Sequence, residues 1–192
     1  AGIAAFVRET AAGIDALNDL SDSTGASIEN LSALEDAAAR TGTEMATVGD
    51  ALLKLNQQLA GAKPGSATAD ALKAIGLDAE ALRRIDPAEA LLRVATALQG
   101  YADDGNKARL VQELFGKSVR EVAPLLKDLA ESGKLNATVT REQAEEVDKF
   151  NKQLAQLSKS ATDAAREISG PLISALNRLF ERISKEGTFS AL

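Results

Sequence analysis

Apolar residues recur at intervals of three and four along most of this chain, and glycine or proline repeatedly interrupts the pattern. One such face is formed by Met45, Val48, Leu52, Leu55 and Leu59. This spacing is typical of an amphipathic helix, whereas a half-buried strand would need apolar residues at every second position. No segment keeps that alternation for more than a few residues. The sequence therefore predicts an all-α protein, with a multi-helix domain of short amphipathic helices and one long C-terminal helix.

Capping residues indicate where the helices begin and end. Ser27 and Gly42 suit the start and the end of one helix, and Thr43 is predicted to open the next, which Gly61 ends. Asp86-Pro87-Ala88-Glu89 is a strong helix start, with aspartate at the N-cap and proline at the first helical position. The other predicted elements are a polar break over 21–25, a loop at 63–66, a short helix over 66–75, and a helical turn or a loop over 77–84.

The domain organisation is predicted in three parts. Residues 1–20 form an N-terminal helix, which we expect to continue from a longer chain because the spacing is helical from the first residues. Residues 21–133 form the helical domain, and residues 140–186 form the long helix, a candidate oligomerisation element.

Residues 107–126 are predicted to form two short helices separated by a glycine. Leu110, Val111, Leu114 and Phe115 make one apolar face, and Gly116 follows as a helix stop. Ser118 and Glu121 then form a capping box that starts the second helix. Pro124 is expected near the first turn of that helix, where a missing N–H costs little, and Leu125 and Leu126 follow it.

A second capping box, Thr140 with Gln143, is predicted to start the long helix. Its apolar face has near-heptad spacing, which slips at Gly170-Pro171, so we expect a kink there. A helix of this length must bury its face along the rest of the chain or on a second copy, and self-association is favoured. The candidate self-association face consists of Val147, Phe150, Leu154, Leu157, Ile168, Leu172, Leu176, Leu179 and Ile183.

The composition excludes several function classes. The net charge is −6, which disfavours specific binding to nucleic acid or to anionic membranes. The chain has no cysteine and no histidine, so disulfides, thiol chemistry and the commonest metal ligand are excluded. No apolar run approaches the roughly 20 residues of a membrane span, and membrane contact is not expected. One tyrosine and five phenylalanines are few for a compact enzyme of 192 residues.

Three motifs were weighed as chemical sites. Gly116-Lys117-Ser118 matches the end of a phosphate-binding loop, but the glycine five positions earlier is replaced by Val111 and a helix precedes it. Carboxylate pairs such as Asp103-Asp104 are predicted to lie on solvated helix faces or ends. Arg83-Arg84 and Arg178 with Arg182 are small basic spots, interpreted as solvated faces, with a docking patch as the alternative. We predict no catalytic, cofactor-binding or metal-binding residue.

The order of several phrases resembles the tail tape-measure proteins of phages and prophages. Leu114-Phe115-Gly116, a few polar residues and then Pro124-Leu125-Leu126 is similar to a recurring segment of that family, and we call these six residues the signature. Similar phrases occur in the family's order at 21–59, 70–78, 86–105 and 150–176. The resemblance covers most of residues 21–180 and implies an all-α structural segment.

The resemblance also implies a function and partners. Proteins of this family occupy the lumen of the tail tube and set its length. Tail assembly chaperones, the tail tube protein and tail-tip proteins are the implied partners, with the host cytoplasm as the site of assembly. A second hypothesis, from a different class, is a helical adaptor that docks partners through its long helix. An enzyme is not expected, because the chain has no convincing catalytic constellation.

Overall fold

The computed structural model describes residues 2–101, 105–116, 119–153, 155–160, 162–163 and 178. Within these ranges the chain is helical with no strand, which confirms the all-α prediction. The helices are α1 Gly2–Thr24, α2 Ile28–Thr41, α3 Met45–Gly61, α4 Ala67–Ala74, α5 Ala79–Arg83, α6 Pro87–Gln99, α7 Gly105–Phe115 and α8 Val119–Ser132. Helical residues 141–153, 155–160 and 162–163 follow and are together called α9.

Helix α3 lies at the centre of the core and contacts each of the other helices from α1 to α8. Val48, Ala51, Leu52 and Leu55 are fully buried on it. Ala51 is small, so a neighbouring helix can approach α3 closely at this position. Gly49 extends this close approach, because a Cβ at that position would lie 2.6 Å from Leu20 Cδ1 of α1.

Asp86 joins the N-termini of two helices. Its Oδ1 accepts a hydrogen bond of 2.8 Å from the Ala88 N–H at the start of α6. Its Oδ2 accepts a bond of 2.7 Å from the N–H of Ser27, which is itself the N-cap of α2. Burial of this carboxyl opposes ionisation, but the hydrogen bonds from the region of Ser27 and from Ala88 outweigh it, and the pKa of Asp86 is lowered. One carboxylate therefore fixes α2 relative to α6.

Several predicted boundaries are confirmed. Ser27 Oγ accepts from the Asn30 N–H at the start of α2, and Gly42 ends that helix in the left-handed conformation, with φ 67°. Pro87 is at the predicted position in the first turn of α6. The open choice at residues 77–84 is decided in favour of a short helix, α5, with Asp78 as its N-cap.

Two boundary predictions are wrong. Helix α1 runs through the expected polar break to Thr24. The Thr24 hydroxyl donates to the Leu20 carbonyl, and the Gly25 N–H donates to the Ser21 carbonyl. These bonds supply partners for carbonyl groups of the last turn, so the polar residues extend the helix instead of ending it. The N-cap of α3 is Glu44 rather than Thr43, and the Glu44 side chain makes no capping hydrogen bond. The Thr43 hydroxyl is hydrogen-bonded to the Thr41 hydroxyl instead.

The turn between α7 and α8 partly follows the prediction. Gly116 has φ 66°, as expected of a glycine after a helix, and Ser118 of the predicted capping box lies outside the described residues. Pro124 is not in the first turn. It is the sixth residue of α8, inside the helix, where its ring removes the bond that the Arg120 carbonyl would accept.

The chain divides into two compact units, residues 1–147 and 148–192. The first unit contains α1 to α8 and the start of α9, where the predicted capping box is confirmed. The Thr140 N–H donates to Gln143 Oε1 at 2.9 Å, and the Gln143 N–H donates to Thr140 Oγ1 at 3.3 Å. The predicted kink at Gly170-Pro171 lies outside the described residues.

Replacing Asp86 with alanine should lower the free energy of unfolding by about 2 kcal/mol, because two helix N-termini lose their shared acceptor. Asp78→Ala is the matched control: Asp78 accepts only one bond, from the Ala81 N–H of the short exposed helix α5, and should cost about 1 kcal/mol or less. Urea unfolding measures both, and equal losses would contradict the bridging role of Asp86.

The Asp86 contribution should also depend on pH. Because its folded pKa is lowered, its charge stabilises the fold fully above the ordinary aspartate pKa of about 3.9, and this stabilisation is lost as the pH falls through the lower folded value. The difference in unfolding free energy between wild type and Asp86→Asn should therefore be constant near neutral pH and shrink below about pH 4. A difference that does not change with pH would be inconsistent with an ionised cap.

Candidate functional site

The signature residues form part of the core of unit 1–147. Leu114, Phe115 and Leu125 are fully buried and Leu126 is nearly so. Gly116 makes the turn, and Pro124 is exposed. Because four of the six side chains face the core, the signature positions helices and offers little surface to a partner.

Helix α7 is held by α3 and α4. The buried Thr68 of α4 connects all three helices, since its hydroxyl lies 2.9 Å from Gln58 Oε1 on α3 and 3.2 Å from Glu113 Oε1 on α7. A hydroxyl carries one hydrogen, so the Gln58 amide oxygen and the Glu113 carboxylate oxygen share it as acceptors. If the Gln58 amide is flipped, its NH2 donates to the Thr68 oxygen instead and the hydroxyl donates to Glu113. The cluster fixes α7 relative to α3 and α4.

Helix α8 is held by α6 and α2. Its largest interface is with α6, where Leu91, Val94 and Leu98 are buried on α6 and Val122, Leu125 and Leu129 on α8. On the other side, Arg40 of α2 binds Asp128 of α8 through two nitrogens, at 2.6 Å and 3.3 Å. The bidentate pairing fixes the orientation of these two helices, although it is exposed and adds little free energy.

A cleft of about 550 Å³ opens between α6, α7 and α8. Its floor is apolar, with Leu98, Val111 and Leu126, and the exposed side chains of Lys127 and Glu131 stand at its rim 3.9 Å apart. The cleft exists because α7 packs mainly on α3 and α4 and only weakly on α8. Its chemistry is suited to apolar groups.

Residues 133–140, here called the strap, lead from α8 to α9 and lie against α2. Ser32 Oγ, fully buried on α2, accepts hydrogen bonds from the N–H groups of Thr138 at 2.9 Å and Val139 at 3.1 Å. Glu29 Oε1 accepts a bond of 3.0 Å from the Arg141 N–H at the start of α9. Two side chains of α2 thus hold the strap and the first residue of α9.

The candidate self-association face is only partly within the described residues. Val147 is half-buried against the core of unit 1–147. Phe150 is 42% exposed and Leu157 is 67% exposed, and they are the exposed large hydrophobic residues among the side chains that the structure describes. The side chains outside the description are Leu154, Ile168, Leu172, Leu176, Leu179 and Ile183.

The charges of α9 are distributed unevenly around the helix. With Phe150 and Leu157 at the same heptad position, the flanking positions hold the uncharged residues Asn151, Gln153, Ser158 and Ser160. The charged exception is Glu146, seven residues before Gln153 and on the same border of the face, whereas Lys152 and Asp148 lie farther away and bind each other at 2.6 Å. From residue 150 to residue 160 the described residues that border the apolar face are neutral and polar.

Two other carboxyl groups have shifted pKa values. Partial burial, and secondarily the neighbouring charge of Asp36, raises the pKa of Glu35 on α2. Hydrogen bonds from its own backbone N–H and from Thr140 lower the pKa of Glu142 in the first turn of α9. Both shifts follow from local burial and capping.

None of the three candidate chemical motifs forms a site among the described residues. Gly116 comes after helix α7, and Lys117 and Ser118 lie outside the described residues, as do Asp103 and Asp104. Arg83 is exposed, and Arg84 pairs with Glu80 on its own helix. In the described part of the chain, no group of three metal-ligating side chains comes together. No helix in that part is long and apolar enough to cross a membrane.

Comparison with known proteins leaves the family open. No protein-family model matches the chain, and no curated protein and no solved structure matches it either.

Phe115→Ala should lower the free energy of unfolding by about 3 to 5 kcal/mol, because it removes the largest fully buried side chain and leaves a cavity. Pro124→Ala should raise it by about 1 kcal/mol or more, because the helix regains a hydrogen bond at an exposed position. Chemical unfolding of both variants measures these changes. A Phe115→Ala variant as stable as wild type would contradict the structural role of the buried signature residues. A destabilised Pro124→Ala variant would contradict the cost assigned to a proline inside α8.

Proposed function

We propose that this chain is a structural segment of a phage or prophage tail tape-measure protein. The observation that carries the proposal is the ordered series of family-like phrases from residue 21 to 180, together with the all-α fold. The phrases before residue 133 fall on helices and the turns between them. Residues 21–59 run from the end of α1 through α2 and most of α3, residues 70–78 run from α4 to the start of α5, residues 86–101 include α6, and the signature lies on α7, the Gly116 turn and α8.

Simple physics supports a ruler built from such chains. A helix rises about 1.5 Å per residue, so a largely helical chain has a length set by its residue count. The net charge of −6 would keep the chain from adhering to DNA that passes through the same tube. In this proposal the core of unit 1–147 is a folded module, and tail assembly chaperones, the tail tube protein and tail-tip proteins are its partners.

The location of the protein tests this proposal directly. In phage particles whose genome encodes the chain, peptides of residues 21–180 should be present in intact tails and depleted from tails that have ejected their DNA. Quantitative mass spectrometry of particles before and after triggered ejection measures both, with the tail tube protein as the retained control. Absence from intact particles would rule the proposal out.

The second part of the proposal is self-association through α9. We propose that the helix continues over residues 140–186 with a kink near Gly170-Pro171, and that its apolar face pairs with other copies. The exposure of Phe150 and Leu157 supports this, because water contact with two large apolar side chains is unfavourable by about 1.5 to 3 kcal/mol each when fully exposed. The neutral flanking residues between 151 and 160 support it too, since identical faces would meet there without charge repulsion.

Phe150→Glu and Leu157→Glu should each convert an oligomer into a 20.0 kDa monomer, because a charge cannot be buried in the apolar contact. Gln156→Glu is the matched control, since it adds the same charge to the same helix at a position outside the face. Light scattering at several concentrations measures the mass. A wild-type chain that stays at 20.0 kDa throughout, or a control that dissociates equally, would disprove pairing through this face.

The adaptor hypothesis uses the same exposed residues and differs in the partner. In the adaptor hypothesis the chain is a monomer in solution, and a different protein covers Phe150 and Leu157. The two hypotheses separate by the mass of the purified chain and by the presence or absence of the protein in tails.

A further inference from the structure

The strap is attached to the core by fewer buried apolar side chains than α8, the helix that precedes it. We propose that residues 133–147, the strap with the start of α9, form a latch that opens from α2 while α2 to α8 stay folded. This goes beyond the proposed function and does not depend on it, because it rests only on contacts within unit 1–147.

The polar part of the attachment depends on two side chains. Three backbone N–H groups, those of Thr138, Val139 and Arg141, donate hydrogen bonds to α2. The first two bind the Ser32 hydroxyl oxygen and the third binds the Glu29 carboxylate. One buried oxygen, Ser32 Oγ, accepts two of these bonds while its hydrogen is donated to the Glu29 carbonyl at 2.8 Å. The attachment is therefore concentrated on a single turn of α2.

The apolar part of the attachment is thin. Ala144 is fully buried, but it is small, and Leu135, Val139 and Val147 are only partly buried against the core. The interface of α6 with α8, in contrast, buries several leucine and valine side chains completely. Regions with few buried apolar contacts and exposed backbone open at lower free energy than the core, so the strap is expected to open first.

The helix that follows the strap does not need α2 in order to begin. Thr140 and Gln143 cap each other reciprocally, so these two N–H groups keep their acceptors when the latch opens. At the start of α9, the Arg141 N–H is the group that loses its hydrogen bond to Glu29 and binds water when the latch opens. At the other end, Gly133 terminates α8 at φ 65° and its N–H remains bonded to the Leu129 carbonyl, so α8 also stays closed.

Amide hydrogen exchange of the whole chain, followed by NMR at several low urea concentrations, tests the latch. The N–H groups of Thr138, Val139 and Arg141 should be protected, yet exchange about 100-fold faster than those of Val94 and Leu125, with little urea dependence. Exchange of the strap amides at the same rate and urea dependence as the core amides would overturn the proposal, because the strap would then open only with global unfolding. A complete lack of protection would also overturn it, since no closed latch would exist in solution.

Two variants with buried hydroxyls locate the attachment. Ser32→Ala should speed exchange at Thr138 and Val139 about tenfold and change Val94 and Leu125 less than about twofold, because two bonds to the strap are lost. Thr68→Ala is the matched control: it removes a hydroxyl that binds α3 and α7, and it should leave the strap-to-core ratio of exchange rates unchanged. An equal acceleration of strap and core by Ser32→Ala would contradict the latch, and Glu29→Gln repeats the test with a milder change at Arg141.

Discussion

The first 132 residues depend on the burial of α3. This helix contacts α1, α2 and α4 to α8, and its side chains Val48, Ala51, Leu52 and Leu55 are fully buried. A chain with five phenylalanines and one tyrosine has few aromatic side chains, so its core is built mainly from leucine, valine and alanine on closely packed helices. The signature hairpin is part of this arrangement, because α7 and α8 both rest on α3.

Local signals in the sequence predicted local structure well. The helical spacing gave the fold class, and the caps at Ser27, Asp86 and Thr140 were read correctly, because capping is decided within three or four residues. The end of α1 was misplaced because polar residues near a helix end can either stop the helix or bond back to it. The position of Pro124 in α8 was also wrong, since core packing tolerates a proline that propensity alone would move to the first turn.

Long-range contacts left no trace in the sequence pattern. The bond from the Ser27 N–H to Asp86 and those from the strap to Ser32 join residues 59 to 107 positions apart. These contacts could not be predicted from the sequence. A serine or aspartate in or next to a helix is expected to be a cap or a solvated residue unless its neighbour in space is known. For the candidate site, the exposed face at Phe150 and Leu157 follows from heptad spacing, whereas the burial of the signature required the packing of α7 and α8 on α3.

We propose that the face of α9 containing Phe150 and Leu157 pairs with the same face of another copy. Disulfide cross-linking tests it most directly, because the chain has no cysteine and each introduced thiol is unique. Under mild oxidation, Leu157→Cys should give a covalent dimer, since facing Cβ atoms in a paired seam approach to about 4 Å. Lys159→Cys, on the charged side of the same helix, should stay monomeric. Equal cross-linking of both variants, or of neither, would contradict the account.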